Sequence, residues 1–294
     1  MSKEFNSKIY DDIPLDELRI YAKEMELKYY STISSTSWKI TKPLRMLSTA
    51  CKSIINKPRE LFSLWNIRKN NCHPDDYILH FSINTYNSTT KGIAHYFSDG
   101  KDSADKLKAL CKEFFTVNSL SLLEFACGYG RVTRNLDRNY FDVTACDIHP
   151  VAINFITEKF GVNTVLSDID PEEFDLNQTF DVVFALSFFS HVPDRTFGKW
   201  IEVLYKHVSP GGALIFTTHG KTAWEKHKLP LTDGFAFVPI SEQKDLSTAD
   251  YGITITEQSY VNNICEQYIS KKPDIFREDF WWHVQDLYVI NKSG

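Results

Sequence analysis

Two apolar runs, each ending in or at a carboxylate and separated by a turn of small residues, constrain this chain more than any other feature. The first is Leu122-Leu123-Glu124-Phe125, followed by Ala126-Cys127-Gly128-Tyr129-Gly130-Arg131; the second is Val143-Thr144-Ala145-Cys146, followed by Asp147-Ile148-His149-Pro150. Backbone approaches a ligand closely only where side chains are absent. Gly128 and Gly130 can therefore wrap a nucleoside-type ligand while a strand-end acid takes its ribose hydroxyls. A dinucleotide fingerprint requires a third small residue three positions on. That place is Thr133 counted from Gly128 and Gly130, or Arg131 counted from Ala126 and Gly128, so a nicotinamide oxidoreductase is disfavoured.

Hydrophobic patterning predicts alternating elements after residue 120: strand 120–125, helix 130–138, strand 142–147, helix 150–160, strand 163–167, strand 180–186, helix 194–208 and strand 212–218. Alternation of this kind gives crossover units and a parallel sheet. A strand near 252–256, a helix near 257–269 and a last strand over 283–290 close the sheet, with one antiparallel member. The fold class is α/β, a Rossmann-like, doubly wound, mostly parallel sheet of about seven strands with an N-terminal helical extension. A helical region from 77 to about 115 covers the ligand pocket. Residues 221–250 lack a clear period, hold Pro230, Gly234 and Pro239, and read as an insertion that forms part of an acceptor pocket.

The glycine-rich stretch resembles the first motif of class I S-adenosylmethionine-dependent methyltransferases, with Glu124 as the strand-end acid and Ala126, Gly128 and Gly130 on the three glycine places, the first replaced by alanine. Asp147, with Ile148 beside it, stands where that family binds ribose. Asp168, followed by Ile169, stands where it meets the adenine amino group. Phe180 to Ser187, with Leu186 near its end, resembles the fourth strand, and Val208 to Phe216 the turn into the fifth. Tyr96-Phe97-Ser98-Asp99-Gly100 is similar to a piece that lies near the cofactor in related enzymes. The resemblance covers roughly residues 77–290 and implies S-adenosyl-L-methionine as cofactor. Each strand-end acid has another reading, as a cap on the following helix.

At 294 residues the chain suits one α/β domain with an accessory segment, here 1–75 followed by a catalytic body over 76–294. Its 43% hydrophobic and 24% charged residues are ordinary globular values. The apolar runs are strand-sized, and the first residues lack the pattern of a secretory signal. The six cysteines show no Cys-x-x-Cys spacing and read as reduced thiols in a cytoplasmic protein. Cys127 reads as small filler in the turn, with a nucleophile as the alternative. A net charge of −5 argues against nucleic acid as a partner, yet Lys28 to Lys69 holds nine Lys or Arg against one acid, Glu60. Residues 14–30 read as an amphipathic helix. After Pro43 a basic amphipathic helix follows, which docks on its own domain, on a partner or at the inner face of a membrane. The segment Ser35-Thr36-Ser37-Trp38-Lys39-Ile40-Thr41-Lys42-Pro43-Leu44-Arg45 is similar to one that recurs in enzymes of bacterial surface-polysaccharide assembly.

Methyl transfer from a sulfonium needs alignment, a dry pocket and, for a hydroxyl acceptor, a base. His191 follows the fourth strand and His219 ends the fifth, both on the rim where ligands of parallel sheets bind. They are the candidate catalytic residues, against the plainer readings of a loop hydrogen bond or a helix cap. His149 reads as a cofactor-edge residue, and His283 as either packing or acceptor contact. No metal-ligand spacing is present, with Asp194 and His191 a loose alternative. Phe188, Phe189, Trp224, Phe235, Phe237, Tyr251, Trp281 and Trp282 lie in or near the expected pocket walls, burial being the commoner fate of such rings. The sequence thus points to an S-adenosylmethionine-dependent methyltransferase acting on oxygen of a sugar or sugar-linked group in surface polysaccharide or its precursor. Alternatives are a phosphate-type or nitrogen acceptor, or a cofactor-binding scaffold that recruits assembly enzymes through residues 1–70.

Overall fold

The computed structural model describes residues 71–294 except Glu242 and Lys244. The helices expected over 14–30 and after Pro43, and the segment Ser35–Arg45, lie outside the described residues.

Five parallel strands form the centre of the sheet: β1 (Leu120–Phe125), β2 (Phe141–Asp147), β3 (Asn163–Leu166), β4 (Phe180–Ala185) and β5 (Val208–His219), in the order β3-β2-β1-β4-β5. Two smaller strands, β6 (Phe235–Val238) and β7 (Ile253–Thr256), make an antiparallel hairpin. It meets β5 at one rung, His219 opposite Ile255. Strand β8 (Ile275–Trp281) runs antiparallel to β9 (Gln285–Asn291), which in turn runs antiparallel beside β5.

Successive strand residues point to opposite faces, so apolar runs without polar alternation must be covered on both sides. Leu122, Val182, Phe184 and Ile215 enter one core with Leu107, Leu110 and Ile156. Leu123, Phe125, Val183 and Phe216 enter the other with Phe197, Trp200 and Val261. The helices that cover the first face include α2 (Thr89–Phe114) and α3 (Pro150–Phe160); α4 (Asp194–Lys206) and α6 (Gln258–Ile269) cover the second. Helix α1 (Tyr77–Tyr86) lies against α2. Its N-terminus is capped by Asp76, whose Oδ1 accepts the Leu79 N–H at 3.0 Å while Oδ2 accepts the Tyr96 hydroxyl at 2.6 Å.

One expectation needs correction. Residues 130–138 are not a helix; only Thr133–Asn135 make a short 3-10 turn. Gly130 has φ +76°, and the Asn135 side-chain amide donates to the Arg131 carbonyl at 3.0 Å, occupying the acceptor that the Asn135 N–H would use in an α-helix. That N–H goes to Val132 instead, at 2.8 Å. The mostly parallel sheet expected with about seven strands is present, with nine strands among the described residues. β8 was illegible because Arg277, Glu278 and Asp279 interrupt its apolar run and Asp279 has φ +50°. The stretch 221–250, read as an insertion, holds helix α5 (Lys221–His227) and strand β6.

Candidate functional site

A cavity of about 610 Å³ opens at the carboxyl ends of the parallel strands, the place where such sheets bind ligands. Gly128, just past β1, has φ +57°, and a methyl group placed on it would meet nothing within 4 Å. Its N–H donates to Asp147 Oδ2 at 2.7 Å. Asp147 Oδ1 accepts from the backbone N–H of His149 at 3.0 Å and lies 2.8 Å from its Nδ1. The acid that ends β2 is therefore fixed against the turn that follows β1. Ala126 has φ +56°, a backbone region that an L-residue adopts reluctantly, which explains the place for glycine there.

Glu124 is 4% exposed, and its Oε2 has no hydrogen-bond partner. Burial pushes its carboxyl up to about 7, opposed by Thr133 and Arg138. Asp168 and Ile169, beyond β3, line the same cavity from exposed positions, and Ile148 and Leu186 line it from half-buried ones. Gly130 does not line it. A methyl group on Gly130 would meet Phe160 Cε2 at 2.7 Å and Ile156 Cγ1 at 3.3 Å, so this glycine lets α3 approach the turn.

The far part of the cavity lies beyond β4 and β5. His191 and His219 both line it, with ring centroids 6.1 Å apart. His191 stacks on Tyr251 at 4.6 Å, and its Nδ1 is 2.8 Å from the Gly252 carbonyl. Burial, followed by the charge of His191, depresses His219 to about 4, so that imidazole is uncharged at neutral pH. Below the rim, Thr217, Ser187, Ser190 and Gln285 form one hydrogen-bond network. Thr217 Oγ1 accepts the Ser187 N–H at 2.8 Å and donates to Gln285 Oε1 at 2.7 Å, and Gln285 Nε2 donates to Ser187 Oγ at 2.8 Å.

Two further groups bound the cavity. Asp99 from α2 forms an ion pair with Arg131 and accepts the Trp282 indole N–H, while the Arg131 guanidinium lies 5.1 Å from the centre of a Trp282 ring. The loop between β6 and β7 contributes Gln243, Leu246, Asp250 and Tyr251. It is tied back by Asp245, whose Oδ2 is 3.0 Å from His149 Nε2, and by Asp250, which pairs with Arg195. His149 is raised by its hydrogen bond with Asp147 first, with a further contribution from Asp245.

All the sequence-derived site residues except Gly130 thus meet in one cavity. Of the eight aromatic residues expected in or near its walls, Phe188, Tyr251 and Trp282 line it. Trp281 and Phe189 are core residues, Trp224 donates to the Leu229 carbonyl, and Phe235 and Phe237 border a separate depression. His283 is at the β8–β9 turn and does not line the cavity, and Asp194 accepts the Tyr260 hydroxyl at 2.5 Å. Arg131, Gln285, Lys226 and His227 were missed as lining residues. Arg131 follows the glycine turn but carries no motif position of its own, the segments of the other three have no motif, and only the β5 and β9 register brings Gln285 opposite His219.

Residues 122–212 match the family model described as a methyltransferase domain. That stretch of the chain is similar to a methyltransferase domain. The chain is 30% identical over 147 residues to a malonyl-[acyl-carrier protein] O-methyltransferase of Calditerrivibrio nitroreducens, covering 49% of this chain and 57% of that protein. It is also 30% identical over 109 residues to a ubiquinone biosynthesis O-methyltransferase of Rickettsia conorii, covering 36% of this chain and 37% of that one. The chain therefore spans less than two thirds of the length of these relatives. Among solved structures, the CcbJ methyltransferase from Streptomyces caelestis aligns with a TM-score of 0.49 at 16% identity, over 67% of this chain and 90% of that one.

The residues gathered here fit S-adenosylmethionine, the cofactor that the sequence resemblance implies. The open space over Gly128, the unpartnered Glu124 Oε2 and the Asp147 carboxylate face a common cavity, and carboxylates suit both ribose hydroxyls and a cationic ligand. No helix among the described residues is long and apolar enough to cross a membrane.

Proposed function

We propose that the protein is an O-methyltransferase in which His191 acts as general base on an acceptor hydroxyl. The observation that carries this reading is the contact of His191 Nδ1 with the Gly252 carbonyl, 2.8 Å. A carbonyl only accepts, so Nδ1 holds the proton of the neutral ring, and the lone pair is left on Nε2. Stacking on Tyr251 holds the ring plane in place.

When bound, S-adenosylmethionine supplies a methyl group on a sulfonium that is open to in-line displacement. Asp147, Gly128 and Asp168 would hold the nucleoside, and Glu124 would face the cationic part. His191 Nε2 takes the hydroxyl proton as the oxygen becomes a nucleophile. His219, kept neutral by burial, accepts or donates one hydrogen bond at the same rim without competing for that proton at neutral pH.

The acceptor we propose is a sugar or sugar-linked hydroxyl of a surface polysaccharide or its activated precursor. Support comes from the resemblance of Ser35–Arg45 to segments of polysaccharide-assembly enzymes and from the Tyr251 and Trp282 rings in the cavity wall, a surface on which sugar rings stack. The curated relatives named above act on other acceptors by their names, so the acceptor is settled by assay. Purified protein incubated with labelled S-adenosylmethionine and a panel of nucleotide sugars is expected to label a sugar; label in another metabolite alone overturns the acceptor class. His191→Ala is expected to lower kcat by about 100-fold or more with S-adenosylhomocysteine binding intact. Near-normal turnover would mean an acceptor that is already nucleophilic.

A further inference from the structure

The cavity is electrically polarised, and the polarity follows strand order. Along β3-β2-β1-β4-β5 the lining residues near the strand ends include Asp168, Asp147 and Glu124, then His191 and His219, while the basic residues that line the acidic end, His149 and Arg131, are paired with Asp147 and Asp99. Neighbouring strands are about 4.8 Å apart, so the acidic and basic ends are separated by roughly 15–20 Å. Helix α5, which follows β5, adds Lys226 and His227 to the basic end. Among the described residues neither of these two has a hydrogen-bond or ion-pair partner.

The acids nearest that end are already engaged. Asp250 is paired with Arg195, and Asp99 with Arg131 and Trp282. Asp286 is buried behind Gly220, accepts the Asp279 N–H at 2.9 Å, and does not line the cavity. A basic residue in the last turn of a helix can serve only its macrodipole. Here both side chains border the cavity, and both contribute to the depression of His219. Because His219 is uncharged near neutrality, the permanent positive charge of this end is that of Lys226.

We infer that the methyl acceptor is an anion whose carboxylate or phosphate group is seated by Lys226 and His227 at the mouth of the cavity beyond β5. This rests on the methyltransferase reading above and names the acceptor's charge. A cationic donor then meets the acidic end and an anionic acceptor the basic end, each in a partly dehydrated cavity where charge complementarity selects strongly. A sugar hydroxyl carried on a nucleoside diphosphate meets the requirement through its phosphates. A hydroxy acid meets it through its carboxylate.

The test uses the full-length protein saturated with S-adenosylhomocysteine, titrated by calorimetry with pyrophosphate and, separately, with malonate. At least one of the two anions should bind, with affinity that falls as salt is raised. The Lys226→Gln/His227→Gln variant should bind it about tenfold more weakly or worse, with S-adenosylhomocysteine affinity unchanged. Pyrophosphate alone identifies a phosphate-bearing acceptor, malonate alone a carboxylate, and both a site for either anion. Binding of neither, or equal binding by wild type and variant, overturns the inference. Both substituted residues are exposed, and the single Lys226→Gln variant provides a second, milder comparison. Failure of S-adenosylhomocysteine itself to bind would overturn the methyltransferase reading instead, so the two failures are distinct.

Discussion

Gly128 and Gly130 are two residues apart and read identically in the motif, yet they answer to different constraints. At Gly128 the added carbon has open space and only the φ of +57° opposes it; at Gly130 the φ of +76° is joined by Phe160 at 2.7 Å. Gly128→Ala should therefore fold with a loss of about 1–2 kcal/mol while losing affinity for S-adenosylhomocysteine. Gly130→Ala should lose about 2–4 kcal/mol, as measured by denaturant unfolding. Glu124 makes a pH-dependent prediction. Its carboxyl is raised from 4.5 to about 7 by burial, so the protonated form is favoured in the fold. The stability it lends is complete below about pH 4.5 and is lost as pH rises through about 7. In ligand-free protein, Glu124→Gln should match wild type in acid and exceed it by up to about 3 kcal/mol at pH 8, in melting curves taken across that range. The acids were legible because strand-end carboxylates near a glycine turn follow a pattern. The distinction between the two glycines was not, because it depends on α3, which the motif does not contain.

Among the elements, the β6–β7 loop has the clearest consequence. It brings Gln243, Leu246 and Tyr251 to the cavity and is held at Asp245 by the same His149 that contacts Asp147. The acid proposed to take the ribose and the loop that covers the pocket are thus joined through one imidazole. Asp245→Asn removes one charge from this chain and leaves the Asp147 contact in place. With Asp245 46% exposed, the pair is worth about 0.6 kcal/mol, so affinity for S-adenosylhomocysteine should fall about threefold and amide exchange over 243–251 should quicken. An unchanged affinity would mean that the loop closes without this contact. The helix expected over 130–138 failed for a local reason, a side-chain amide satisfying a helix carbonyl, whereas the helices over 150–160 and 194–206 followed their apolar period and the Pro150 start signal.

For the molecule as a whole, the doubly wound centre was readable because β1, β4 and β5 are apolar on both faces and separated by helix-length segments. The second half was less so. β8 carries charges in its middle, and β6 is four residues long. Neither has enough periodicity to be distinguished from a loop before the strands that receive them are known. The end of the cavity proposed for the acceptor draws on these late elements, which is why the strand-end acids and the glycine turn were legible in the sequence and Gln285, Lys226 and His227 were not.

The β6–β7 hairpin shares a single ladder rung with β5, supplemented by bonds from Gly252 and Thr254 to the carbonyls of His191 and Ser190, each 2.8 Å. Such a graft sets the strand-end acids of β1–β3 and the cassette 221–256 on separate elements, joined where Asp245 meets His149. Divergence in that cassette could retarget the enzyme to new molecules while its donor chemistry stayed the same.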